Sequence, residues 1–115
     1  MKTTSIFVFG SNLAGRHGKG AALFARKNHG AIYRQPFGLQ GRSFAIPTKD
    51  ISLKTLPLWT IHYYVNRFID FAYEHPEYTF NLTRIGCGLA GYQDSDIAPM
   101  FINAPKNVIK PTKWN

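Results

Sequence analysis

A short apolar run, Ile6 to Phe9, leads straight into a loop with four glycines and an asparagine. The order is Gly10-Ser11-Asn12-Leu13-Ala14-Gly15-Arg16-His17-Gly18-Lys19-Gly20, and a helix-like segment begins only after it. A continuously apolar strand is buried on both faces, so this one demands a sheet with cover on each side. A strand that opens through glycines into a helix aims backbone N–H groups and the positive end of the helix dipole at one spot. That arrangement suits a phosphate. The same residues also fit a flexible connector ahead of a helix.

The loop is neither of the two commonest nucleotide motifs. A Walker A loop needs Gly four residues before Gly-Lys and then Ser or Thr; Leu13 and Gly20 occupy those places. The dinucleotide fingerprint needs Gly-x-Gly-x-x-Gly, whereas this chain has Gly15-x-x-Gly18-x-Gly20, with no acidic residue about twenty positions on to hold a ribose.

At 115 residues the chain is expected to form one domain. Its 44% apolar and 17% charged residues fit a folded protein. No segment is long and apolar enough for a membrane span or a signal-peptide core. The single cysteine, Cys87, rules out an internal disulfide and fits a cytoplasmic setting. Four scattered histidines give no metal-ligand spacing, so no metal and no cofactor are expected. The net charge of +8 attracts anionic ligands, nucleic acid among them, although no helix-turn-helix, zinc-finger or RNP pattern is present.

Along the chain, Gly20 to Asn28 reads as a short helix stopped by Gly30. Ala31 to Tyr33 reads as a brief strand, Gly38 to Arg42 as a turn, and Ser43 to Ile46 as a second apolar strand ended by Pro47. Leu58, Ile61, Val65, Phe68 and Ala72 recur at helical steps, which predicts an amphipathic helix from Leu58 to Tyr73. Thr55 is its expected cap and Pro57 lies in its first turn. Tyr63, Tyr64 and Tyr73 read as helix-surface packing in preference to a base-stacking platform. Thr79 to Ile85 is a third strand, followed by a second glycine-rich turn, Ile85-Gly86-Cys87-Gly88-Leu89-Ala90-Gly91-Tyr92. Asp94 or Ser95 then caps a helix through Ile102, Val108-Ile109 closes the sheet at an edge, and Trp114 pins the tail to the core. Strands alternating with helices predict an α/β fold with helices on both faces and a ligand crevice beyond the strand ends.

Both loops match something more specific. The chain resembles the macrodomain family, whose members bind ADP-ribose. Gly10-Ser11-Asn12 through Gly18-Lys19-Gly20-Ala21-Ala22 is similar to that family's first loop, and Gly86-Cys87-Gly88-Leu89-Ala90-Gly91 to its diphosphate loop. Phe44-Ala45-Ile46-Pro47-Thr48-Lys49 resembles the strand of the lysine-dependent subgroup. That subgroup holds the terminal ADP-ribose–protein glycohydrolase and the antitoxin that strips ADP-ribose from DNA. The likeness runs over roughly residues 5–103 and implies a single three-layer α/β/α domain with a mixed central sheet, shortened relative to the family. The glycohydrolase type carries an acidic residue where this chain has Ala90, while the antitoxin type has small residues there.

The resemblance implies Lys49 as the catalytic nucleophile at the anomeric carbon of the distal ribose. A lysine desolvated in a cleft can lose its proton near neutral pH and act as a nucleophile or base. The plainer reading is a surface lysine paired with Asp50. Asn12 would hold the distal ribose hydroxyls, or else cap the following turn with its side chain. Gly10, Ser11, Gly18, Lys19, Gly20, Ala21, Thr48, Ile85, Gly86, Cys87, Gly88, Leu89, Ala90, Gly91 and Tyr92 complete the implied ligand-binding set, with Tyr92 stacking on the distal ribose. His17 would contact phosphate or move a proton, or else stand in solvent. Cys87 reads as packing and not as a nucleophile, since nothing near it in sequence supplies a base.

Three functions follow as expectations. The first is an ADP-ribosyl hydrolase acting on a modified macromolecule, protein or nucleic acid. The second is a non-catalytic binder of ADP-ribose or a related NAD-derived nucleotide. The third is an ADP-ribose 1″-phosphate phosphatase with His17 as acid–base.

Overall fold

The computed structural model describes residues 4–114. Strand β1 (Thr4–Asn12) is followed by helix α1 (Gly20–Asn28), β2 (Gly38–Gln40), β3 (Ser43–Lys49), α2 (Leu58–Glu74), β4 (Tyr78–Leu82), α3 (Asp94–Ile97) and β5 (Val108–Ile109). Short 3-10 turns cover Ala98–Phe101 and Thr112–Trp114. The five strands form one mixed sheet in the order β2-β3-β1-β4-β5. β1 lies parallel to β3 and β4, β5 is parallel to β4, and only β2 runs antiparallel.

The alternation of β1 explains why its apolar run is unbroken. Ile6 and Val8 enter a large core with Phe44, Ile46 and Phe80 and with Ile61, Val65, Phe68, Ile69 and Ala72 of α2. Phe9 points the other way, into a small cluster with Ala45 and with Ala22 and Ala25 of α1. Helices thus cover opposite faces of the central strands, and the small alanines let α1 lie close to the sheet. Phe68 is fully buried and sits edge-on to Phe44 and Phe80, at centroid distances of 5.0 and 5.3 Å. Truncating such a ring to Ala costs about 3–5 kcal/mol.

Several local expectations are corrected. Ala31 to Tyr33 is not a strand, because its N–H groups go elsewhere: Ile32 N–H donates to the Gln40 side-chain oxygen at 2.7 Å. The Gln40 amide also donates to the carbonyls of Gln35 and Gly38. This buried, fully engaged side chain lets Gly38–Gln40 act as a strand and confines the turn to Gly41-Arg42. Gly41 could carry no side chain, since an added Cβ would lie 2.5 Å from the Gly30 carbonyl oxygen.

Pro47 does not end β3, which continues to Lys49. β2 stops opposite Ala45, so Pro47 lies beyond that neighbour, where no ladder hydrogen bond is lost. Thr55 does not cap α2; Pro57 holds that position, and the Thr55 hydroxyl donates to the Ala90 carbonyl at 2.8 Å. β4 ends at Leu82, short of Ile85. The helix expected through Ile102 is a single turn, Asp94–Ile97, continued as 3-10. Asp94 does not cap it. The Asp96 carboxylate accepts from the Gln93 N–H at 3.0 Å, while Asp94 is bound by Arg84 and by the Trp114 indole N–H. That last bond, with the ring packed on Phe101, fixes the tail to the core.

Candidate functional site

The carboxyl ends of β1 and β3 lie side by side. Ser11 is in register with Pro47 and Asn12 with Lys49, so Thr48 is an extra residue in β3 at that step. This bulge re-aims the strand end, as bulges beside functional sites commonly do. It makes the two candidate catalytic residues direct neighbours. The Lys49 carbonyl accepts from the Leu13 N–H at 2.8 Å, which fastens the first loop to β3.

The first loop is braced from within. The Asn12 side chain donates to the Arg16 carbonyl at 2.8 Å and accepts from the Arg16 N–H at 2.9 Å. The Ser11 hydroxyl donates to the Pro36 carbonyl, and Thr48 donates to the Ser11 carbonyl at 3.3 Å. Gly15, at φ +67°, presses against Arg34, where a Cβ would come within 2.4 Å of backbone. α1 then starts with Lys19 at its cap position, no side-chain cap and no acidic residue in its first turn. The first N–H groups of that helix therefore have no side-chain acceptor.

The second loop comes to meet the first. A Cβ at Gly20 would lie 3.7 Å from the Leu89 side chain, while Gly18 and Gly88 each face open space. Between the loops lies a cleft of about 660 Å³. Its wall includes Gly10, Ser11, Asn12, Gly18, Lys19, Gly20 and Ala21 from the first loop, and Thr48 and Lys49 from β3. Ile85, Gly86, Gly88, Leu89 and Ala90 of the second loop complete the residues expected there. The size falls within the range of small-molecule sites.

Three expected binding residues lie off this wall. Tyr92 is partly buried against the large core, and its hydroxyl donates to the Leu56 carbonyl at 2.7 Å. Cys87 also packs against that core. Burial and the neighbouring Asp94 push its thiol up to about 11, which keeps it protonated and a poor nucleophile. Gly91 turns the chain at φ +88° outside the cleft lining, where an added Cβ would also meet open space.

His17 is the clearest departure from the sequence reading. It is neither exposed nor in the cleft: its ring is wholly buried, edge-on to Phe9 at 5.2 Å, and neither ring nitrogen has a hydrogen-bond partner. Burial, aided by Arg26, lowers its pKa below the ordinary imidazole value.

Six wall residues lie outside the binding set that the resemblance implies: Arg16, Ala22, Tyr33, Leu53, Thr83 and Arg84. Arg84 directly precedes the second loop, and its guanidinium is clamped to Asp94 by two bonds of 2.8 Å. Leu53 and Arg34 are the only non-glycine residues with positive φ among the described residues, and both sit at or beside the cleft. Backbone strain of this kind gathers at binding sites. Lys49 is half-buried, and the Asp50 carboxylate is occupied by the N–H groups of Ser52 and Lys54. The cleft wall thus carries Arg16, Lys19, Lys49 and Arg84 and, among the described residues, no carboxylate.

Comparison of the chain with protein-family models, with curated proteins and with solved structures found no match.

Proposed function

We propose that the chain is a small macrodomain-like α/β/α protein that binds ADP-ribose in this cleft and releases it from a modified macromolecule. The observation that carries the reading is the meeting of two glycine-rich loops, from the carboxyl ends of adjacent parallel strands, across a cleft with only basic charges on its wall. A diphosphate placed there faces the uncapped N–H groups at the start of α1 and the open backbone at Gly18 and Gly88. Lys49, beside Asn12, is the nucleophile in this proposal. Its nitrogen forms a bond to the anomeric carbon of the distal ribose as the bond to the carrier breaks, and the proton that this nitrogen sheds passes to the departing group. Water then cleaves the lysyl adduct, returning the amine and releasing ADP-ribose.

The test is Lys49→Ala. The proposal expects loss of ADP-ribose release from modified protein and DNA, with affinity for free ADP-ribose held within about tenfold. Full activity in that variant overturns the chemistry.

A second reading, binding without turnover, is favoured by the lack of a carboxylate on the described wall and by the engagement of the Asn12 amide with Arg16. Calorimetric binding of ADP-ribose by the unaltered protein, with no release from either substrate, selects it. The phosphatase alternative loses its acid–base, since His17 lies outside the cleft.

A further inference from the structure

The charge of this protein is divided sharply along the chain. The first 49 residues hold eight Lys and Arg and no Asp or Glu; the remainder holds six of each sign, so the whole excess of +8 belongs to the first part. In the fold that part supplies β1, α1, β2, β3 and their connections. Its side chains Arg16, Lys19, Arg26, Lys27 and Arg34 are exposed. The Arg84–Asp94 ion pair and the His75–Glu77 hydrogen bond lie elsewhere.

Tyr33 stands in the middle of this surface. It is 43% exposed and lines the cleft, with the guanidinium of Arg26 at 5.4 Å and that of Arg34 at 5.9 Å from its ring centre. The step from Tyr33 to Arg34 is tied to the first loop, where the Arg34 N–H donates to the Gly15 carbonyl at 2.7 Å. An exposed aromatic beside two guanidinium groups that form no ion pair among the described residues is the arrangement that receives an unpaired base and its adjoining phosphates.

We propose that this surface, from Tyr33 at the cleft mouth across Arg26 and Arg34, docks single-stranded nucleic acid. Unpaired bases can stack on the exposed ring, while bases in a duplex are already stacked on one another. The proposal goes beyond the reading of the cleft and does not depend on it.

The test uses fluorescence anisotropy with an unmodified, labelled single strand of about 12 nucleotides and its duplex. Because no ADP-ribose is present, a negative result here leaves the cleft reading untouched, and the reverse also holds. The expected result is single-strand binding that weakens with salt at a log–log slope of about −2 to −3, equivalent to three or four phosphate contacts. Arg26→Glu, which leaves the cleft wall unaltered, weakens it about tenfold or more, and Tyr33→Ala weakens single-strand but not duplex binding by about tenfold. Arg26→Gln and Arg34→Asn decide the matter if Arg26→Glu does not fold. Absence of binding at about 50 mM salt overturns the proposal. Equal affinity for duplex with Tyr33→Ala silent also overturns it, as does tighter binding of polyglutamate or anionic vesicles than of the single strand.

Discussion

The side-chain amide of Asn12 holds the backbone of Arg16 from both sides, donating to its carbonyl at 2.8 Å and accepting from its N–H at 2.9 Å. One residue thereby closes the first glycine-rich loop and sets Arg16 on the cleft wall. Asn12→Ala removes both bonds. The expected cost is about 1–3 kcal/mol of stability, together with a loss of ADP-ribose affinity of about tenfold or more. Chemical denaturation and calorimetry on the same variant check the two effects. Unchanged affinity alongside lowered stability confines Asn12 to a structural part.

The glycines separate phosphate binding from turn geometry. Gly18 and Gly88 have nothing within 4 Å of an added Cβ and are not at positive φ, so Gly18→Ala and Gly88→Ala fit the folded chain. Their expected effect is weaker ADP-ribose binding with thermal stability within about 0.5 kcal/mol of the original. Gly15→Ala is the opposite case, since its Cβ meets Arg34 backbone at 2.4 Å in a left-handed conformation. It is expected to destabilise the fold by about 2–4 kcal/mol. If Gly18→Ala and Gly88→Ala bind as well as the unaltered protein, the diphosphate does not lie between these loops.

His17 predicts an acid sensitivity. Its folded pKa is lowered from 6.5 by burial and by Arg26, so the unfolded chain binds a proton that the folded one refuses. Stability from this residue is complete above about pH 6.5 and is lost as pH falls below it, toward the lowered folded value. Thermal unfolding followed from about pH 7.5 to 5 is expected to show this decline, and His17→Leu to flatten it. An equal slope in both proteins refutes the assignment.

Where one apolar pattern ran long enough, the sequence was a sufficient guide. The spacing of Leu58, Ile61, Val65, Phe68 and Ala72 located α2, and the Ile6–Phe9 run required helices on opposite faces of the sheet. What escaped it was set by distant partners. Gly38–Gln40 has no strand pattern of its own and becomes one through β3 and the Gln40 side chain. The hydroxyl of Thr55 looks like a cap from its neighbours in sequence, but a second-loop carbonyl captures it. Tyr33 and Leu53 carry no motif, and only topology brings them to the cleft. A histidine among glycines reads as polar and open, whereas Phe9 and Tyr33 flank the ring of His17.

The hydrogen bond from Thr55 to Ala90 has a mechanical consequence. Thr55 is also bridged to Lys49 across a tight turn, so the Leu89-Ala90 bend is hydrogen-bonded to the segment bearing the lysine. A guest that pushes that bend outward either breaks the Thr55–Ala90 bond or draws the Lys49 turn along with it. Accommodation of larger guests therefore falls to Gly18–Gly20, the exposed part of the opposite jaw beyond the Asn12–Arg16 clamp.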